Sequence, residues 1–492
     1  MLNKNPKTYE INTRNWIKQF GRDARLPDIP KDYFMKFAES GIDLIWMMGI
    51  WKTRENIIDE TCFIAELVST YTKALPDWKR EDIIGSAFSI DCYEINPLIG
   101  TTDELLAFKE NLNSLGLKLI LDFVPNHFSA ESKYISTNPE FFLEADVESL
   151  QGDSRTFYKP HSADGKVFAH GRDPFFLAWT DTVQVNFFSQ KARNFLKNTL
   201  FELTDLCDGI RCDMAMLALN NVFYNTWMGV LNKRRIPKPE DEFWNGAIKE
   251  VKKKAPDFLL IAEVYWDLEK QLQNQGFDYT YDKTFTDLLF YNDIQGIKNH
   301  LHLDDELQQK SVRFIENHDE LRAAAKFGKP RSLAAAAAVS TIQGMKLFYD
   351  GQFEGKKIRI PSQLGREPEE KVSEYVKNFY KKLLPIINYD IFKKGKWKMI
   401  EPLPIDAWNK AFENFLAWTW SLENEIILVA INYSAVTSQC RIKFEFSTDK
   451  EILKFEDLLN DADYNRSVYE LRANGLYVEL KSYQCHIFRI QL

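Results

Sequence analysis

Short apolar runs rich in β-branched and aromatic residues recur along this chain. Most lead into a polar loop and then a stretch with apolar residues three or four positions apart. The runs are Thr8–Thr13, Asp43–Met48, Leu117–Val124, Cys207–Met216, Asp257–Trp266, Ser311–Glu320 and Met345–Gly351, with a further candidate at Phe277–Asp282. The stretch 102–116 opens with a Thr/Asp cap and closes at Gly116, as a helix does. The stretch 191–206 is amphipathic at helical spacing, and a long polar loop follows Asp43–Met48. Alternation of this kind predicts parallel strands with crossover helices, hence a (β/α)8 barrel or a doubly wound sheet. A doubly wound nucleotide fold wants a glycine-rich first turn, and Tyr9–Trp16 has none. The barrel is the expectation.

Two regions break the rhythm. Residues 129–187 carry many turn residues and little helical period, which predicts an irregular excursion after the third strand. From 395 to 492 short alternating runs such as 415–434 and 440–446 predict a C-terminal antiparallel β domain, read as a sandwich. The barrel then consists of 1–128 and 188–394. The alanine run Ala334–Ala338 is explained by close helix packing.

Composition excludes more than it assigns. A formal charge of −8 gives no electrostatic case for nucleic acid. No run is long and apolar enough for a membrane span, and the start has no apolar core with a cleavage site. A cytoplasmic protein is expected. The six cysteines form no CxxC pair, so buried free thiols are expected rather than zinc or a disulfide framework.

Acidic residues stand where the apolar runs end: Asp122, Asp213, Glu263 and Asp319. A lone acid there caps a helix or meets solvent, but four at one rim of a barrel mark the face where active sites are built. Arg211 lies two residues before Asp213, so both side chains leave one strand face. That arginine should keep Asp213 ionised, whereas the apolar and aromatic neighbours of Glu263 should raise its pKa. Two carboxyl groups with separated proton affinities are what glycoside hydrolysis uses. His127 and His318 each stand beside a strand-end partner. His161, His170, His300, His302 and His486 read as hydrogen-bonded structural residues. No HExxH or compact ligand cluster signals a catalytic metal.

The segments "LDFVPNH", "GIRCD", "LIAEVYW" and "IENHD", in this order on successive strands, resemble the four signature regions of the α-amylase family of glycoside hydrolases, family 13. The resemblance implies that 129–187 is that family's domain B and that the C-terminal β region is its domain C. It implies that Asp213 is the nucleophile, Glu263 the acid and base, and Asp319 the stabiliser of the transition state. Arg211, His127, His318 and Asp122 then support the substrate, and Phe88 takes the place of the family's sugar-stacking tyrosine. The chemistry needs no cofactor. Many relatives hold structural calcium near the position of Asn126, which leaves that ion open here.

Departures from the family pattern bear on substrate. Met216 and Leu217 stand where many endo-amylases have Lys and His, and the segment 317–328, with Arg322 and Phe327, resembles α-glucosidases. The expectation is a retaining hydrolase of short α-glucosides. A transglycosylase or isomerase of the same family, of the maltosyltransferase or trehalose synthase type, is the alternative. A catalytically silent barrel acting as a binding subunit is the rival from another class.

Overall fold

Eight strands close into a parallel barrel in the computed structural model, which describes residues 3–163 and 165–492. Expectations that fall on residues 1, 2 and 164 lie outside the described residues. The strands are β1 (Lys7–Asn12), β2 (Leu44–Met48), β3 (Lys118–Phe123), β4 (Gly209–Cys212), β5 (Leu259–Ala262), β6 (Tyr279–Tyr281), β7 (Ser311–Arg313) and β8 (Met345–Tyr349). They follow one another round the barrel in sequence order, and β1 pairs with both β2 and β8 to shut it. The β1–β8 register sets Tyr9 opposite Phe348 and Glu10 opposite Tyr349.

The helices between them form for local reasons. In α1 (Thr102–Ser114), Thr101 accepts the N–H of Glu104 while the Glu104 carboxylate accepts the N–H of Thr101, a reciprocal cap. Its core face is Leu105, Phe108 and Leu112, each side chain contributing roughly 1.5–3 kcal/mol by burial. Gly116, at φ 79°, ends the helix where a side chain would be strained. In α2 (Gln190–Leu206), Leu196, Leu200 and Leu203 repeat the pattern and deliver the chain to β4.

The observed strands are shorter than the apolar runs at their C-terminal ends. Asp213 and Glu263 sit one residue past β4 and β5, and Asp319 lies well out in the loop after β7 rather than at a strand end. The loop after β2 differs from its polar reading, since it holds a helix at Ala65–Ala74 and a strand pair, Trp51–Thr53 with Ile90–Ile95. Tyr71 and Ala74 of that helix are buried, on too short an amphipathic face to register as a period. The excursion after β3 is also more regular than its sequence reads. His127–Ser129 pairs with Thr182–Gln184, and three short strands between them form a second small sheet.

The C-terminal domain is a six-stranded antiparallel sheet faced by a two-stranded one. Between them lies an apolar layer that includes Ala417, Leu428, Ile442, Phe455 and Val478. Among the described residues no helix is long and apolar enough to cross a membrane. All six cysteines are buried and free.

Candidate active site

Arg211 is the hub of the barrel mouth. It is 1% exposed; its Nη1 donates to Asp213 Oδ1 at 2.7 Å and its Nη2 to Glu263 Oε2 at 2.6 Å. Asp122 Oδ1 stands 3.8 Å from Nη1. The rings of Trp46, Phe88 and Tyr281 surround the guanidinium at 5.2, 5.3 and 5.8 Å. Burial works against its charge, but Glu263, Tyr281 and Asp213 outweigh that and hold it protonated.

This sharing corrects the sequence reading of Glu263. Its neighbours are not purely apolar: besides Arg211, the Met214 N–H donates to Oε2 at 2.7 Å and the Tyr265 hydroxyl to Oε1 at 2.6 Å. Nor does Arg211 simply keep Asp213 ionised while Glu263 is raised alone. Burial raises the pKa of both carboxyls, and one guanidinium opposes both shifts. Asp319 adds a further upward push on both. Among the described residues Asp213 Oδ2 carries no hydrogen bond from the protein, whereas both oxygens of Glu263 are held.

The turn after β4 explains how the pair is positioned. Met214 adopts a left-handed conformation at φ 43°, which bends its N–H onto Glu263. Ala215 N–H then donates to the Glu263 carbonyl at 2.9 Å. Met216 and Leu217 follow in a 3-10 turn and are buried.

Asp122 is buried beneath the mouth, with Trp46 Nε1 donating to one oxygen at 3.1 Å and Gly49 N–H to the other at 3.0 Å. Burial pushes its pKa up to about 6. Asp319 is half exposed. His318 Nε2 lies 3.0 Å from its Oδ2, and Asn317 Oδ1 accepts the Asp319 N–H at 3.0 Å. Against its desolvation, the His318 imidazolium, with Arg211 and Arg359 farther off, holds Asp319 well below the usual carboxylate range.

Glu10 is the residue that sequence reasoning missed. It is fully buried on β1, and its carboxylate pairs with His318 Nδ1. Burial opposes the charge on His318, but Asp319 and Glu10 carry its pKa up to about 10. An acid inside the first apolar run, Thr8–Thr13, was the available signal. Tyr265, two residues past Glu263, was missed too. Phe88 stacks on His318 at 5.2 Å with an interplanar angle of 25°.

His127 bonds the backbone of Phe88; burial drops its pKa to about 3, so its ring is neutral. The structure thus gathers Asp122, Arg211, Asp213, Glu263, His318, Asp319 and Phe88, with His127 next to them. Arg322 does not join this group. It is buried against Glu316 at 2.8 Å and the Asp350 carbonyl at 2.7 Å, while Phe327 is a core residue.

The calcium position that the resemblance leaves open does not fit these residues. Asn126 Oδ1 and the Asn126 carbonyl both accept from Gln184 Nε2 at 2.9 Å, and the Val185 carbonyl does so at 3.0 Å. An amide donor already stands among the oxygens, where calcium wants 6–8 open oxygen ligands. Among the described residues no group of three or more His, Cys, Asp or Glu side chains could hold a metal ion.

A (β/α)8 barrel with a C-terminal β domain and three acids around one buried arginine at the C-terminal mouth has the layout of a barrel enzyme. A family model described as the alpha amylase catalytic domain matches residues 37–382. The chain belongs to the alpha-amylase family. It is 23% identical to alpha-amylase MalA of Haloarcula japonica over 352 residues, covering 70% of this chain and 47% of that protein. It therefore spans about half that relative's length. It is 24% identical to alpha-amylase 3 of Dictyoglomus thermophilum over 425 residues, 75% of this chain and 77% of that protein. The fold matches a noncanonic maltogenic alpha-amylase, AmyB from Thermotoga neapolitana, with a TM-score of 0.70 at 19% identity over 99% of both chains. Trehalose-6-phosphate hydrolase of Bacillus licheniformis matches with a TM-score of 0.65 at 15% identity, again over 99% of both.

Proposed function

We propose that this protein is a retaining α-glycosidase of short α-glucosides, working through a covalent β-glycosyl intermediate. The observation that carries the reading is the single Arg211 guanidinium bonded to both Asp213 and Glu263. It supports two carboxyls at the spacing of a double displacement, about 5–5.5 Å. Asp213 attacks the anomeric carbon through Oδ2, which no donor among the described residues engages. Glu263 gives its proton to the leaving oxygen and takes one back from the incoming acceptor. Burial and the nearby charges of Asp213 and Asp319 favour that proton on Glu263. As Asp213 becomes an ester it loses its charge, which lowers the proton affinity of Glu263 so that it stays ionised and free to take the acceptor's proton. Asp319, kept ionised by His318, faces the developing oxocarbenium charge. Phe88 offers a ring face to the sugar.

Met216 and Leu217 support small substrates, because they put no cation or imidazole where many endo-amylases hold a long glucan chain. The alternative is transfer rather than hydrolysis, since the same intermediate serves both and only the acceptor differs. Incubation with maltose and maltotriose, with and without phosphate, tests the reading by product chromatography and anomer-resolved NMR. Glucose released first as the α anomer is expected; longer products would mean transfer, and a sugar phosphate phosphorolysis. Release of the β anomer first would rule out retention. Asp213→Asn is expected to lose at least ~10³-fold in kcat/KM. Equal inactivity of wild type and this variant on an α-glucoside panel would return the silent-barrel reading.

A further inference from the structure

A cavity of about 1010 Å3 lies beside the barrel mouth, walled by segments that follow β1 and β2. None of Asp122, Asp213, Glu263 or Asp319 lines it. Its floor is apolar, with Ile17, Ile58, Ile83 and Ile99, whereas its wall carries Arg14, Lys18, Arg22, Arg25 and Arg80 against two acids, Asp23 and Glu55. In a chain of net charge −8 this local excess of cations runs against the whole. Two of the five are already neutralised: Arg25 by Glu104 at 2.7 Å and Arg80 by Asp59 at 2.6 Å. Lys18 bonds only the Gly365 carbonyl, and Arg22 is exposed with no carboxylate partner among the described residues.

Arg14 is the informative one. It is 6% exposed, yet among the described residues no carboxylate pairs with it. Its Nη2 donates to the Gly85 carbonyl at 2.9 Å and to the Ser362 carbonyl, and its Nε has no partner. Burial without a counter-charge drops its pKa to about 10. An uncompensated buried charge costs several kcal/mol, a cost that an incoming anion removes. The volume is that of a small-molecule site, and charge-assisted bonds from a guanidinium suit an oxyanion.

We propose that this cavity binds a small organic anion, a carboxylate or phosphate ester on a body with an apolar face such as a sugar ring. The anionic group pairs with Arg14, Lys18 and Arg22, and the body rests on the isoleucine floor. Arg14 holds the backbone of the segment leading to Phe88 and of the segment following Arg359, so both segments share one fixed point.

Isothermal titration of the full chain at fixed ionic strength tests this, with glucose 6-phosphate, gluconate and inorganic phosphate as probes and glucose as the neutral control. Saturable binding of glucose 6-phosphate or gluconate that Arg22→Glu weakens is expected, with any binding of glucose at the active site left unchanged by that variant; whichever anion binds more tightly identifies the anionic group. Arg22→Glu, an exposed change, and Arg14→Met should each weaken it tenfold or more, the first guarding against a fold defect in the second. No saturable binding of the organic anions, affinity that neither variant changes, or inorganic phosphate binding as tightly as glucose 6-phosphate would overturn the proposal. The readout is heat of binding, so its failure leaves the glycosidase reading standing.

Discussion

Glu10 and His318 show how a pairing across the barrel fixes a charge beside the candidate acids. The imidazolium of His318 is fixed between Glu10 and Asp319, and its pKa is raised from 6.5 to about 10. The stability it contributes is therefore fully present below pH 6.5 and lost as pH rises through about 10. The alkaline limb of kcat/KM belongs instead to loss of the Glu263 proton, so Glu10→Gln should lower by ~1 unit the pH at which this stability is lost, as read by thermal melts. An unmoved stability limb would assign it to another group. Gln184 makes an opposite kind of case. Its amide holds the oxygens of Asn126 and Val185, so neither chelator nor added calcium should shift the melting temperature. Gln184→Glu sets a carboxylate against those oxygens and should melt lower, with calcium restoring the loss; a wild type destabilised by chelator contradicts this. The four candidate acids were legible because each interrupts or ends an apolar run. Glu10 was not, because one acid in a buried strand looks the same whether it pairs with a distant histidine or with a neighbour. The pairing spans the barrel, and nothing local records it.

At the scale of elements, the strand order was legible and the strand ends were not. Period and composition locate an apolar run, but backbone pairing stops where the chain must turn its carboxylates inward. Met214 is the clearest instance: its φ of 43° is uncommon for a side chain of that size, and no turn residue announces it. If that backbone bend is what matters, Met214→Val should be less stable than Met214→Asn by about 1 kcal/mol in denaturant melts, since asparagine tolerates the left-handed region and a β-branched residue does not. It should also lose more activity, because the Met214 N–H is bonded to Glu263. The reverse order would make side-chain packing the dominant effect. The excursions after β2 and β3 were harder still. Their helices and strands are too short to leave a period and hold their shape by packing on the barrel.

Over the whole molecule, one hydrophobic core runs from the barrel into the first strands of the β domain, including Trp418, Trp420, Ile427 and Val429. The helix that carries Ala334–Ala338, α3 (Lys329–Thr341), is buried along most of its length. Trp420 Nε1 donates to the carbonyl of Thr341 at its end, at 2.6 Å, and the Tyr433 hydroxyl donates to the Leu289 carbonyl at 2.9 Å. Trp420→Ala should cost roughly 3–5 kcal/mol and lower a single calorimetric transition rather than split it. Two separated transitions would show that the domains melt independently. The alanine run was correctly traced to close packing, but what packs against it lies far along the chain and could not be read from it. Barrel closure has a consequence in time as well. β1 is made first, and one of its two partners, β8, is among the last barrel elements to leave the ribosome. Until then the first strand waits with an unpaired edge, and Glu10 waits for His318. The active site is therefore completed late in synthesis, and the nascent chain is most exposed to misassociation just before the enzyme can work.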